Sequence, residues 1–406
     1  MNKTLNETIG KLQVLVFKAG AVTISLFIAA IYFSTSLSSI LSGLLLVLCL
    51  LAGQYKTLSE ILRNNLVASS SLLLFAFFIV GLSYSSVSNA DAFSMLLKYR
   101  ELIFILPLTV FLSTERYRNW AWNAFIISSV LILVISYLMH FGILNLNHQG
   151  DPTFKSRITH SIFISFFGFF CAHKAYDEKA YQKLYWLLFI ACAYNLFFIV
   201  EGRTGQLIAV LLVLLFAVQR FTKRGLVMTV FVVGILMLLF LNYSDKATRF
   251  NEGVVNMQSD LKPGPEQSQT SMGQRYMFWR YSMELIAEKP LLGHGTGSFA
   301  KEYERITSTE TMKAKNPHNE FLMISVQLGA VGLFIYLGFL ASQYYLSKKL
   351  TNQKKYVAQG LLLTLIITSL FNTPIMDHTE GHWFVMMIAL CFSSLSTDLK
   401  AEIKHA

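Results

Sequence analysis

Charge is scarce in this chain of 406 residues: Asp, Glu, Lys and Arg make up only 14% of it, against about a quarter in a typical soluble domain. Together with a mean hydropathy of +0.50, that shortage excludes a water-soluble globular enzyme. Cysteine is scarcer still. Cys49, Cys171, Cys192 and Cys391 lie singly inside apolar runs and form no CxxC or Cys/His spacing, which excludes a disulfide framework and a zinc finger and leaves them as small core hydrophobes. No Ser/His/Asp order and no paired carboxylates within the apolar runs stand out, which argues against a protease or a proton pump.

What is abundant is apolar surface, in 54% of the residues, arranged in runs that approach the roughly 20 residues needed to cross a hydrocarbon layer of about 30 Å. Such runs exclude a porin-like barrel of short alternating strands. The expected fold class is an all-α integral membrane protein with about twelve transmembrane helices, the first at Val14 to Ser34 and the last at Trp383 to Leu395. The first run carries Lys18 and lacks a small-residue cleavage site, so it reads as a retained span. The fourth, Leu102 to Leu112, is short; extending it back through Met95, Leu96 and Leu97 draws Lys98, Arg100 and Glu101 to the membrane boundary.

The net charge of +11 is spread in small groups between apolar runs, a pattern that encodes topology and not nucleic-acid binding. One alternating set of loops holds Lys56 and Arg63, Arg116 and Arg118, Lys174, Lys179 and Lys183, Arg220, Lys223 and Arg224, and Lys348, Lys349, Lys354 and Lys355. By the positive-inside rule these loops are cytoplasmic, and with Lys3, Lys11, Lys400 and Lys404 so are both termini. Three regions follow: membrane helices over 1–241, a large exported loop over 242–320 with Pro263 and Pro265 near its middle, and further membrane helices with a cytoplasmic tail over 321–406. Within the loop, Tyr276, Trp279, Met283 and Ile286 alternate with Arg275, Arg280 and Glu284, an amphipathic pattern suited to lying at the membrane interface.

Cations that break the positive-inside pattern are the informative ones. Arg203 stands in the exported turn Gly202-Arg203-Thr204-Gly205, Arg275 opens the amphipathic segment, and Lys98 and Arg100 precede the fourth span; each is an arginine snorkelling to headgroups or a phosphate-binding fork, and for the lysine a point charge. In Asn316-Pro317-His318-Asn319-Glu320, Asn316 reads as a helix N-cap and Pro317 as the first helical residue. That places His318 in the first turn, where the helix dipole keeps it neutral and able to accept a proton. Gly293-His294-Gly295-Thr296-Gly297-Ser298 resembles a phosphate nest but reads as a turn, since it follows no strand. His378 and His382, spaced i, i+4 beside Asp377, lack the zincin arrangement, and no metal is assigned. His140, His148, His160 and Arg157 surround a short exported loop and read as solvated.

Taken in order, Gly202-Arg203-Thr204-Gly205, Gln274-Arg275-Tyr276 through Trp279, Pro290-Leu291-Leu292-Gly293-His294-Gly295 and Asn316-Pro317-His318-Asn319-Glu320 resemble the bacterial O-antigen ligase family, which also includes related polymerases. The resemblance implies a metal-independent, inverting glycosyltransferase without cofactor, in the Gram-negative inner membrane. It implies that O-antigen glycan is moved from undecaprenyl pyrophosphate to lipid A-core oligosaccharide at the periplasmic face. His318 matches the family's proposed catalytic histidine, and Arg203 and Arg275 match its pyrophosphate-binding arginines; Lys98, Arg100 and Asn319 are further candidates. An O-antigen polymerase or a protein O-oligosaccharyltransferase would use the same donor. A lipid-linked glycan flippase is the alternative from another class, and it predicts inverted repeats, of which none is evident.

Overall fold

The computed structural model describes residues 2–146, 151–243, 271–307 and 313–395. The Pro263 and Pro265 stretch, His148, Lys400 and Lys404 lie outside the described residues. The described chain is helical, with no strand among the described residues. Its first half runs α1 (Asn2–Phe33), α2 (Thr35–Leu51), α3 (Tyr55–Asn64), α4 (Leu66–Leu82), α5 (Asn89–Lys98), α6 (Glu101–Leu112) and α7 (Glu115–His140). Then come α8 (Arg157–Asp177), α9 (Gln182–Tyr194) continued by a π-helical turn (Asn195–Ile199), α10 (Arg203–Arg220) and α11 (Lys223–Tyr243). Beyond the loop lie α12 (Ser271–Glu288), α13 (Phe299–Ile306), α14 (Glu320–Ser347), α15 (Asn352–Phe371) and α16 (His378–Phe392).

Seven of the described helices are long and apolar enough to cross a membrane, and up to eight if α2 and α3, bent by 110°, count as one span. The expected number of about twelve is therefore not matched by helices of spanning length; α4, α6 and α16 are shorter apolar helices. The fourth span does not extend backwards either. Tyr99 and Arg100 break the chain between α5 and α6, so Lys98 ends one helix while Glu101 begins the next.

Several helix starts follow the capping rules. Ser34 Oγ accepts from Leu37 N–H, Asn65 Oδ1 from Val67 and Ala68 N–H, and Ser156 Oγ from Thr159 N–H, satisfying donors that would otherwise be left unpaired in an apolar medium. The apolar α16 is buried from Thr379 through Phe392, as expected of a helix that is hydrophobic all round. It packs on α6, α15 and α1, with Trp383 stacked on Phe163 at 4.7 Å. Helix α11 is the opposite case: Val227, Met228 and Phe231 are each more than 65% exposed, a surface that lipid must cover.

Helix α14 is broken at Gly329, whose φ of +63° lies in the left-handed region that glycine tolerates. The break exchanges backbone partners. Ala330 and Val331 N–H donate to Pro290 and Leu291 C=O, at 2.8 and 3.2 Å, while Val326 and Gln327 C=O accept from His294 and Gly295 N–H, at 2.9 and 2.8 Å. A Cβ at Gly329 would come within 2.3 Å of the Leu291 backbone, so the loop following α12 is seated in α14 by backbone contact.

Candidate functional site

The turn Gly202 to Gly205 packs on α8 so closely that a Cβ at either glycine would lie within 2.4 Å of Ser161. Ser165 Oγ donates to Gly205 C=O at 2.8 Å, and Gln206 Nε2 donates to Leu196 C=O at 3.0 Å. The glycines are there for close approach, and they hold Arg203 as the first residue of α10.

Helix α12 presents Arg275, Phe278 and Trp279 on one face, since residues three and four apart are neighbours on a helix. Trp279 Nε1 donates to Pro317 C=O at 3.0 Å, and Phe278 lies roughly parallel to the His318 ring at 6.2 Å. The buried side of α12 is Phe278, Ser282 and Leu285, whereas Tyr276 and Met283, read from the sequence as its apolar stripe, are 45% and 58% exposed. Phe278 and Leu285 pack with Phe299, Tyr303 and Met323. This cluster fixes α12 over the start of α14.

His318 stands outside α14, two residues before its first helical residue, Glu320. The N-cap is Asn319, whose Oδ1 accepts from Leu322 N–H at 3.0 Å, and not Asn316. Asn316 Oδ1 instead accepts the His318 N–H at 2.9 Å, forming a local turn. Through it His318 is held at φ +49°, alone among described non-glycine residues in having positive φ; such strain costs about 1–3 kcal/mol and gathers at functional sites. On the far side of the ring, Asn372 Oδ1 lies 3.3 Å from Nδ1. The imidazole is held neutral by burial first, which lowers its pKa, and Arg275 pushes the same way; Asn372 and Asp377 oppose. Neutrality thus comes from burial and a nearby guanidinium, not from a place in the helical turn.

Arg275 has its own pKa lowered, by burial and then by Arg203. Two guanidinium groups close enough to repel, one of them also acting on His318, bring cationic forks and a neutral base to one region near the starts of α10 and α14. Guanidinium forks can take an anion with bidentate geometry. Asn319 is a capping residue whose Nδ2 also donates to Leu370 C=O at 3.1 Å, so its side chain is committed to structure. Arg100 faces another way, with NH2 3.3 Å from Ser39 Oγ and 3.9 Å from Glu101 Oε1. Lys98 is exposed.

The glycine-rich 293–298 turn is packing: its N–H groups donate to Lys289, Val326, Gln327, Gly81 and Gly295 carbonyls and to Gln327 Oε1, leaving no backbone N–H for a phosphate. His160 is buried, its Nε2 2.9 Å from Asn195 Oδ1, and is not the solvated loop residue expected. Arg157 stays at the surface near Asp151, 4.0 Å away, and His140 is exposed. His378 and His382 do lie together, but their carboxylate neighbour is Glu101, with the ligand atoms of all three within 4.8 Å of one another; Asp377 precedes α16 and is exposed. Sequence reasoning missed Asn372 and took Glu101 only as a boundary charge, because neither is near its partner in the chain and neither belongs to a motif.

An uncharacterized protein of Haemophilus influenzae (strain ATCC 51907 / DSM 11121 / KW20 / Rd) is 24% identical over 194 residues, covering 44% of this chain and 48% of that protein. The chain thus spans about half the length of the curated relative it matches. The O-Antigen ligase family model matches residues 187–337, a segment holding Arg203, Arg275 and His318. Over residues 187–337, this multi-pass helical protein is thus similar to the O-antigen ligase family.

Proposed function

We propose that the protein is an O-antigen ligase that moves O-antigen glycan from undecaprenyl pyrophosphate to lipid A-core oligosaccharide at the periplasmic face of the inner membrane. The observation that carries this reading is the coupling of Arg203, Arg275 and His318 through charge. Both arginines would grip the pyrophosphate, and their paired forks suit its oxygens. The donor is already activated, so bond cleavage needs only neutralisation of the charge that develops on the leaving group; neither metal nor cofactor is invoked. With Nδ1 turned to Asn372 Oδ1, the lone pair of His318 falls on Nε2. That atom takes the proton of the acceptor hydroxyl as its oxygen attacks the anomeric carbon. The carbon–oxygen bond to phosphate breaks with its electron pair leaving on the pyrophosphate, and a single displacement inverts the centre.

An apolar cavity of 860 Å³ supports a lipid-linked donor. It is lined by Ala209, Val213 and Phe216 of α10, Phe189 of α9, and Val232 and Leu236 of α11. The nearest of these on α10, Ala209, is about 9 Å along the axis from Arg203. Val232 and Leu236 are themselves 50% and 59% exposed, so a polyprenyl tail can enter from the bilayer while its pyrophosphate stays at the helix end. Loop charges support an exported position for that end and for Arg203, Arg275 and His318, with both termini cytoplasmic.

The test is reconstitution of the full chain with purified lipid-linked glycan, offering lipid A-core, a second lipid-linked glycan and a peptide as competing acceptors. Transfer to lipid A-core supports the ligase. Transfer to the second glycan makes it a polymerase, transfer to peptide a protein glycosyltransferase, and translocation without transfer a flippase.

A further inference from the structure

We propose that Glu101, His378 and His382 form a binding site for a zinc-class transition-metal ion that is separate from the arginine–histidine site and is not consumed in transfer. Each residue offers a ligand atom, and these atoms all lie within 4.8 Å of one another. Two imidazole nitrogens and one carboxylate oxygen are the donor set that zinc and its neighbours take, usually completed by water. His378 and His382 share a face of α16 at i, i+4 spacing, their ring centroids 4.4 Å apart. Gly381 between them lets α6 in: its Cβ position would be 3.5 Å from Glu101 Cγ and 3.0 Å from Ile375 C=O, so a larger side chain would push the carboxylate away.

Two further features point to a ligand. Glu101 Oε2 and His378 Nδ1 are buried with no hydrogen-bond partner, and Glu101 as a whole is only 1% exposed. Leaving such atoms unpaired forfeits their solvation with no return, a loss that an ion removes. Behind the imidazoles, two serines on one face of α2 hold the outer ring nitrogens. Ser39 Oγ is 2.5 Å from His378 Nε2, and Ser42 Oγ is 3.3 Å from His382 Nε2. Fixing the outer nitrogen turns the inner one towards the carboxylate, the arrangement that orients histidine ligands in metal sites. His382 Nδ1 is 3.3 Å from Glu101 Oε1 and 2.7 Å from His378 C=O. Binding at Nδ1 shifts the proton it shares with that carbonyl to Nε2, where Ser42 Oγ can accept it, so His382 stays neutral.

Charge in the neighbourhood is mixed. Arg100, with NH2 3.9 Å from Glu101 Oε1, and Lys155, bonded to Thr379 Oγ1 at 3.3 Å, oppose a cation. Glu101, Asp377 and Glu380 favour it, and Phe27 and Phe104, whose ring centroids lie 5.6 and 6.0 Å from His382, keep water from one side. Removing Arg100 should therefore strengthen binding.

The experiment uses the full chain, untagged and purified in detergent, stripped with chelator and dialysed against zinc(II), with bound metal counted by mass spectrometry and cobalt(II) absorption as a second readout. One zinc per chain is expected. Glu101→Gln and His378→Gln each weaken binding by more than tenfold, Ser39→Ala by about tenfold as for other residues that orient a ligand, and His140→Gln leaves it unchanged. Arg100→Gln, which removes no ligand, tightens it. Because a ligand variant can fail to fold, the unfolding temperature of each stripped protein is measured as well; zinc raises it for the wild type and not for Glu101→Gln. Zinc content that is absent, or equal in the wild type and Glu101→Gln, overturns the proposal. Glycan transfer plays no part in these readouts, so the fate of the ligase reading is independent of theirs.

Discussion

Asn372 stands behind His318, its Oδ1 3.3 Å from the imidazole Nδ1, and so ties the C-terminal end of α15 to the turn that leads into α14. A histidine that must accept a proton through Nε2 needs its other proton held on Nδ1, and the carboxamide oxygen is placed to hold it. Asn372→Ala should therefore lower turnover by about tenfold or more with little change in donor affinity. Asn372→Asp should raise the histidine pKa by adding an anion, moving the acidic limb of the activity profile to higher pH. A profile unmoved by Asn372→Asp would show that the two side chains do not communicate.

His318→Ala should stop transfer and leave donor binding intact. In the wild type, burial and Arg275 hold the imidazole below its ordinary pKa, which is about 6.5. A base works when deprotonated, so activity should stay level down to that value and fall only as pH drops further, through the depressed pKa. His318→Ala should abolish this limb in whatever activity remains. Equal loss of donor binding and turnover would recast His318 as a phosphate contact.

Arg203→Ala and Arg275→Ala should each reduce transfer by about 10² to 10³-fold, the usual cost of losing a preorganised donor to developing negative charge. Lysine should rescue only part, because it lacks the fork. Since burial and Arg203 lower the Arg275 pKa, Arg203→Ala should also relieve Arg275 of repulsion and make Arg275→Lys less damaging in the double variant than the sum of the singles. Normal turnover by both alanine variants at saturating donor would reduce the pair to headgroup anchors.

Excess chelator should leave transfer intact, because charge neutralisation is assigned to arginine. The same treatment should strip zinc from Glu101, His378 and His382. If activity is lost and one divalent ion restores it, that cluster is part of the reaction and the two sites are one.

Reporters fused after Lys349 should face the cytoplasm, and those fused between Asp260 and Ser271 the exported side, following the charge asymmetry of the loops. Cytoplasmic labelling of the second position would put Arg275 and His318 on the wrong face for a periplasmic acceptor.

Helicity and membrane insertion were decided locally, by the length of apolar runs and by caps such as Asn65, whose side chain reaches only the two N–H groups of the next turn. The motifs around Arg203, Arg275 and His318 were legible for the same reason, each being a short stretch of unusual residues. Where α14 begins was not. Asn316 and Asn319 both suit an N-cap, and the choice fell to contacts from elsewhere, Trp279 Nε1 on Pro317 C=O and Asn319 Nδ2 on Leu370 C=O. The buried face of α12 likewise depended on what lay beneath it, Phe299, Tyr303 and Met323, and apolar residues on both sides of the helix left the pattern ambiguous. Asn372 behind His318, and Glu101 between His378 and His382, come from helices far apart in the chain. A periodicity or a spacing reports only what neighbouring residues do, whereas these pairings exist because packing the bundle brings distant helix ends to one place.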